Sequence, residues 1–190
     1  MHFFRRTAEF PDAASLLAVL ALLLFAGCSG GKSPREVASA GCEGQLEGRI
    51  YGGIEADIDW QAPALDCAGM PRPDQRGARL RFAGTATVDD RQRHLLFILA
   101  LPTLSPGTTG ADLPTTITVI EEDAGRFFSN RDNPVCWTDV ESQEQLRAPH
   151  DFRISGVSYC VAPLAELNGN GSLSFADLTF TGQLSWAKPE

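Results

Sequence analysis

Glu55, Asp57 and Asp59 stand two residues apart in the stretch Ile54-Glu-Ala-Asp-Ile-Asp-Trp60. Paired carboxyl groups can serve as acid and base in cleavage of a glycosidic bond, and hard oxygen ligands can hold calcium. On an extended strand, residues i and i+2 lie about 6.5 to 7 Å apart on one face. An outward strand face of an acidic protein is expected to carry such a row, so a solvated face is the first reading of these residues and calcium binding or catalysis the lesser ones. Glu121-Glu122-Asp123 and the group Asn130, Asp132 and Asn133 pose the same choice between oxygen ligands and ordinary strand-end or turn residues.

Other reactive constellations are missing from the sequence. His94 follows the acidic pair Asp89-Asp90, yet no serine or thiol stands out as a nucleophile for it, so a triad has no third member. No nucleophile elbow, phosphate loop, dinucleotide fingerprint, zinc-protease helix or EF-hand loop occurs. The cysteines contain no Cys-x-x-Cys pair.

The elements that must carry these residues read as strands. Leu46, Gly48, Ile50, Gly52, Ile54, Ala56, Ile58 and Trp60 occupy even positions, with Glu47, Arg49, Glu55, Asp57 and Asp59 between them. A period of two means a strand with one buried face. A hairpin through Tyr51 to Gly53 keeps that parity and pairs Ile50 with Ile54 and Leu46 with Ile58. Leu80 to Val88 alternates in the same way, Asp89 to Arg93 is the turn, and Leu95 to Leu101 is apolar at every position, as a strand covered on both sides would be. Thr115 to Glu121, Arg126 to Phe128, Cys136 to Val140, Phe152 to Cys160 and Leu173 to Trp186 complete the set. Parity changes between Phe175 and Leu178, which calls for one extra residue near Ala176-Asp177, a β-bulge.

Two stretches read as loops and as the expected working surfaces: Gln61 to Gly77, with Pro63, Pro71 and Pro73, and Thr103 to Pro114, with Pro106, Gly107 and Gly110. Val140 to Arg147 is rich in helix formers and predicts one or two helical turns. Trp60 and Trp186, each ending an alternating run, are expected to cap the core. The sum is an all-β domain, an antiparallel β-sandwich with a small β-barrel as the other possibility.

Five cysteines sort into one and four. Cys42, Cys67, Cys136 and Cys160 form an even set with none closer than about 25 residues, which predicts disulfides in one of three connectivities rather than a zinc site. The scattered histidines His2, His94 and His150 offer no cluster. Disulfides of this kind persist in oxidising compartments.

The fifth cysteine closes an apolar run. Arg5 and Arg6 precede Ala14 to Gly27, which is shorter than the roughly 20 residues of a bilayer-spanning helix. The segment Leu24-Phe-Ala-Gly-Cys28 resembles the lipobox of bacterial lipoproteins, with Ala26 and Gly27 in place before the cut and Phe25 departing from the usual aliphatic residue. The resemblance covers the first 28 residues alone. It implies a leader over 1–27, a diacylglyceryl group (and further acylation) on Cys28, a tether over 28–41 and a single domain over 42–190. Ser29 in place of Asp implies sorting to the outer membrane, with the domain facing the periplasm.

Charge narrows the partners. Lys and Arg number 16 against 24 Asp and Glu, a net charge of −8 with no basic run, which excludes the phosphate neutralisation that nucleic-acid binding needs. The expectation is a non-enzymatic, membrane-tethered periplasmic lipoprotein that binds an envelope protein or glycan or supports the envelope, with no cofactor beyond the lipid. The alternative is a hydrolase or carbohydrate-binding module that uses Glu55, Asp57 and Asp59, with or without calcium.

Overall fold

A computed structural model describes residues 42–187. Thirteen strands run antiparallel: β1 Gln45–Gly52, β2 Ala56–Gln61, β3 Asp66–Pro71, β4 Ala78–Val88, β5 Arg91–Leu101, β6 Gly110–Pro114 and β7 Thr116–Glu121, then β8 Arg126–Ser129, β9 Cys136–Gln145, β10 Asp151–Cys160, β11 Leu164–Glu166, β12 Ser172–Phe175 and β13 Leu178–Ser185. They form one continuous, unclosed sheet in the order β3-β4-β5-β7-β8-β11-β12-β1-β13-β10-β9-β6, with β2 paired to β1. The sheet folds over on itself into two facing layers. Phe82 of β4 meets Phe180 of β13 with ring centroids 5.7 Å apart, and Trp60 meets Phe97 edge-on at 5.6 Å. Leu46, Ile50, Leu80, Leu99, Ile154 and Leu184 fill the same core.

The alternating runs form strands because alternation buries one face of each. β2 reads buried–exposed throughout, with Ala56, Ile58 and Trp60 inward and Asp57, Asp59 and Gln61 outward. The β1–β2 register is Ile50 opposite Ala56 and Leu46 opposite Trp60, two residues longer than the expected three-residue connection. Parity is preserved, but β1 extends to Gly52 to pair with Leu173 of β12, which delays the turn. The β4–β5 turn is shorter than expected. Val88 pairs with Arg91, and Asp89 and Asp90 alone make the turn in the left-handed region, at φ 49° and 60°, as a tight two-residue hairpin with right-handed strand twist requires.

Three further expectations need correction. The Gln61 to Gly77 stretch contains β3, whose Asp66 to Pro71 pair with Ala83 to Ala78 of β4. Being an edge strand held by one neighbour and a disulfide, it shows no alternation. Thr103 to Pro114 likewise contains the edge strand β6, paired to β9. The helix expected over Val140 to Arg147 is strand instead, since β9 continues to Gln145 opposite Phe152. Partner pairing overrides the local preference there.

The extra residue at Ala176-Asp177 is present. Ile50 pairs with Phe175 of β12 while Leu46 pairs with Phe180 of β13, so the register on β1 slips by one between the two segments. Disulfides join Cys42 to Cys67, with Cα atoms 5.4 Å apart, and Cys136 to Cys160 at 4.1 Å. The leader, Cys28 and the tether lie outside the described residues.

Candidate functional site

The two loop regions singled out from the sequence meet at one end of the layers. Pro71, Gln75, Arg76 and Gly77 from the β3–β4 turn face Pro102 to Pro106 of the β5–β6 connection around a recess of about 430 Å³, with Trp186 on its wall. The β3–β4 turn is fixed in shape by local chemistry. Gln75 and Gly77 adopt positive φ, 58° and 71°, and a Cβ on Gly77 would sit 1.9 Å from the Leu101 carbonyl. Only glycine fits there.

Gln143 organises the opposite side. Its Nε2 donates to the carbonyls of Ser105, at 2.9 Å, and Thr108, at 2.5 Å. Its Oε1 accepts from the Gly107 N–H at 3.3 Å and from the Trp186 indole N–H at 3.2 Å. All four hydrogen-bonding positions of the amide are used. One side chain thus ties the β5–β6 loop to the tryptophan that lines the recess. The wall is apolar (Pro71, Pro102, Leu104, Pro106 and Trp186) and the rim polar, with the Arg76 guanidinium exposed beside Asp74. An aromatic wall with backbone donors and acceptors nearby suits recognition of a neutral ligand.

The acidic trio does not form such a site. Glu55, Asp57 and Asp59 are exposed. Arg49 Nε lies 3.4 Å from Asp57 Oδ1, and Asp59 accepts from Gln61 at 3.3 Å. Among the described residues no three His, Cys, Asp or Glu side chains converge to hold a metal ion. Asn130 is buried and spends its amide on the Ile117 N–H and the Thr115 carbonyl. Asp132 sits beside Arg131 at 3.5 Å. The His94 N–H donates to Asp123 at 2.7 Å, a strand-end contact.

Two polar clusters join residues that no spacing in the sequence brings together, Glu121 among them. Arg126 bonds Glu166 through Nε at 2.7 Å and the Gly53 carbonyl through Nη1 at 2.8 Å, and lies 3.6 Å from the buried carboxylate of Glu121. The hydrogen bond to Glu166 is the main cause that raises the Arg126 pKa, and its counterpart lowers that of Glu166. On the outer face of β9 and β10, Tyr159 stacks on Trp137 with centroids 6.2 Å apart and donates its hydroxyl to Asp112. That bond pushes the Tyr159 pKa up to about 12. Asp112 has φ 53°, and its N–H donates to Asp139 at 2.7 Å, so the cluster pins the edge strand β6.

No family model matches this chain, and no curated protein or solved structure gives a significant match to it.

Proposed function

We propose that the protein is a non-enzymatic lipoprotein, held by acyl chains on Cys28 to the periplasmic side of the outer membrane, that binds an envelope component in the Trp186 recess. The observation that carries this reading is the cysteine pairing. The two bridges use all four cysteines downstream of Cys28, and the chain has five in total. A cysteine forms one disulfide, so none of the four competes for Cys28. The bridges also support export, because such bonds persist in oxidising compartments.

Anchoring follows from acyl-chain energetics. One chain binds a bilayer marginally, and two or more hold it. Binding in the recess is supported by its lining, which among the described residues is Pro71, Pro102, Leu104, Pro106 and Trp186 with Gln75, Arg76, Thr103 and Ser105 at the polar positions. The ligand class that fits is a neutral glycan or peptide segment of the envelope. Fractionation of cells tests the anchor: the native chain should sediment with membranes and Cys28→Ser should become soluble. A native chain recovered in the soluble periplasmic fraction would refute it.

A further inference from the structure

An asparagine followed by glycine can react with itself, with water as the one co-reactant. The backbone nitrogen of the glycine attacks the side-chain amide carbon of the asparagine, and no Cβ on the glycine hinders the approach. This chain has two such pairs and they adjoin, Asn168-Gly169 and Asn170-Gly171 in Leu167-Asn-Gly-Asn-Gly171. In sequence the two pairs are equivalent. In the fold they are not.

Both pairs lie in the turn from β11 to β12, which closes with the Glu166 N–H on the Gly171 carbonyl at 3.0 Å. Gly171 is held a second time, because its own N–H donates to Glu166 Oε2 at 2.9 Å. That carboxylate is in turn fixed by Arg126 Nε at 2.7 Å. The Gly169 N–H meets no acceptor among the described residues, and Asn168, Gly169 and Asn170 are all exposed. Asn168 also stands in the left-handed region, at φ 62°. An L-residue holds that conformation at a cost, which a main chain rerouted through the side chain no longer bears.

We propose that Asn168 is a self-modification site, converted through a succinimide to aspartate and isoaspartate, and that the bond from Gly171 to Glu166 keeps Asn170 unreacted beside it. The step balances without a cofactor. The Gly169 nitrogen loses its proton and forms a bond to Asn168 Cγ, while the side-chain NH2 departs with one proton as ammonia. Water then opens the ring at either carbonyl, leaving an aspartate in one case and an isoaspartate, with the main chain running through the former side chain, in the other. At Asn170 the same attack requires the Gly171 nitrogen to leave Glu166 first. The charge of Glu166 opposes proton loss from either glycine, since the carboxylate also packs against Gly169, where a Cβ would lie 2.5 Å from Oε2. Charge therefore acts on both pairs and the hydrogen bond on one. Conversion sets a new carboxylate on the turn that Arg126 ties to Gly53, beside Glu166, and so acts on that junction by repulsion.

The test follows the purified full chain through incubation in mildly alkaline buffer. Samples are reduced and digested with trypsin, and electron-transfer fragmentation of the peptide Ile154 to Glu190 places each conversion and separates isoaspartate from aspartate. The folded chain should convert at 168 at least about tenfold faster than at 170, the factor set by one hydrogen bond to a charged group. A parallel incubation in urea removes that bond, and there the two rates should converge. No conversion at 168 in the folded chain, equal rates at the two positions, or faster conversion at 170 would overturn the proposal. So would a preference for 168 that persists in urea, since the fold would then have no part in it.

Discussion

Arg126 Nε donates to Glu166 Oε1 at 2.7 Å, and this contact joins the start of β8 to the last residue of β11. The same guanidinium reaches Gly53 between β1 and β2 and stacks over Phe128 at 4.8 Å. Glu166 in turn accepts the Gly171 N–H at 2.9 Å. Three segments distant in sequence, at Gly53, Arg126 and Glu166, are therefore joined through one cation, which also partners the buried Glu121. Arg126→Leu removes these bonds and leaves Glu121 with Arg93 alone, at 3.7 Å. A loss of about 2 to 3 kcal/mol is expected, read as a lower urea midpoint with an unchanged slope.

The acid dependence of stability follows from the same pair. Glu166 has its pKa lowered from 4.5 in the folded chain, first by the Arg126 hydrogen bond. A depressed carboxyl pKa contributes stability that is complete above the unfolded value and is lost as pH falls through the folded one. Melting temperature should therefore fall below about pH 4.5, and Glu166→Gln should flatten that acid limb. An identical acid limb in the variant would show that Glu166 has no part in it.

Tyr159 supplies the opposite, alkaline signature. The phenol is held protonated by Asp112 and titrates at about 12. Since the folded pKa lies above the unfolded value of 10, its contribution is complete below pH 10 and disappears as pH rises toward 12. The chain has two tyrosines, and absorbance at the phenolate band should show one of them ionising near 12. Asp112→Asn should move that ionisation back toward 10.

The bridges should matter about equally. They close loops with sequence separations of 25 and 24, for which chain entropy gives about 3.5 kcal/mol each. Replacing Cys42 and Cys67 by serine, or Cys136 and Cys160, should lower unfolding free energy by a similar amount in denaturant titrations.

Much of this fold is written in alternation. Leu46 to Trp60 and Leu80 to Val88 read as strands because each buries one face, and the parity change at Ala176-Asp177 exposes the bulge. β3 is silent because an edge strand with Met70 outward and Cys67 half-buried has no pattern to show. Glu141 to Gln145 carries helix-forming residues, and only its pairing with β10, where Ser142 meets Ser155 and Gln145 meets Phe152, makes it strand. That segment hides the key to the recess. Proline and glycine mark both loops, but Gln143, which ties the β5–β6 loop to Trp186, sits where local composition favours helix. Arg126 and Glu166 are 40 residues apart, a separation that leaves no periodic trace.

The recess can be probed through Gln143. Gln143→Ala removes the bonds to Ser105, Gly107, Thr108 and the Trp186 indole, so the β5–β6 loop should exchange amide hydrogens faster while the core strands keep their protection. Unchanged exchange in residues 103–109 would show that the loop holds its shape without it.

The lipid on Cys28 is the central claim of the proposed function, and the mass of the amino-terminal peptide tests it most directly. Protein purified from the native envelope and digested with trypsin should yield Cys28-Ser-Gly-Gly-Lys32 bearing a thioether-linked diacylglyceryl group. An unmodified Cys28, or a mature chain that begins at any other residue, would contradict the account.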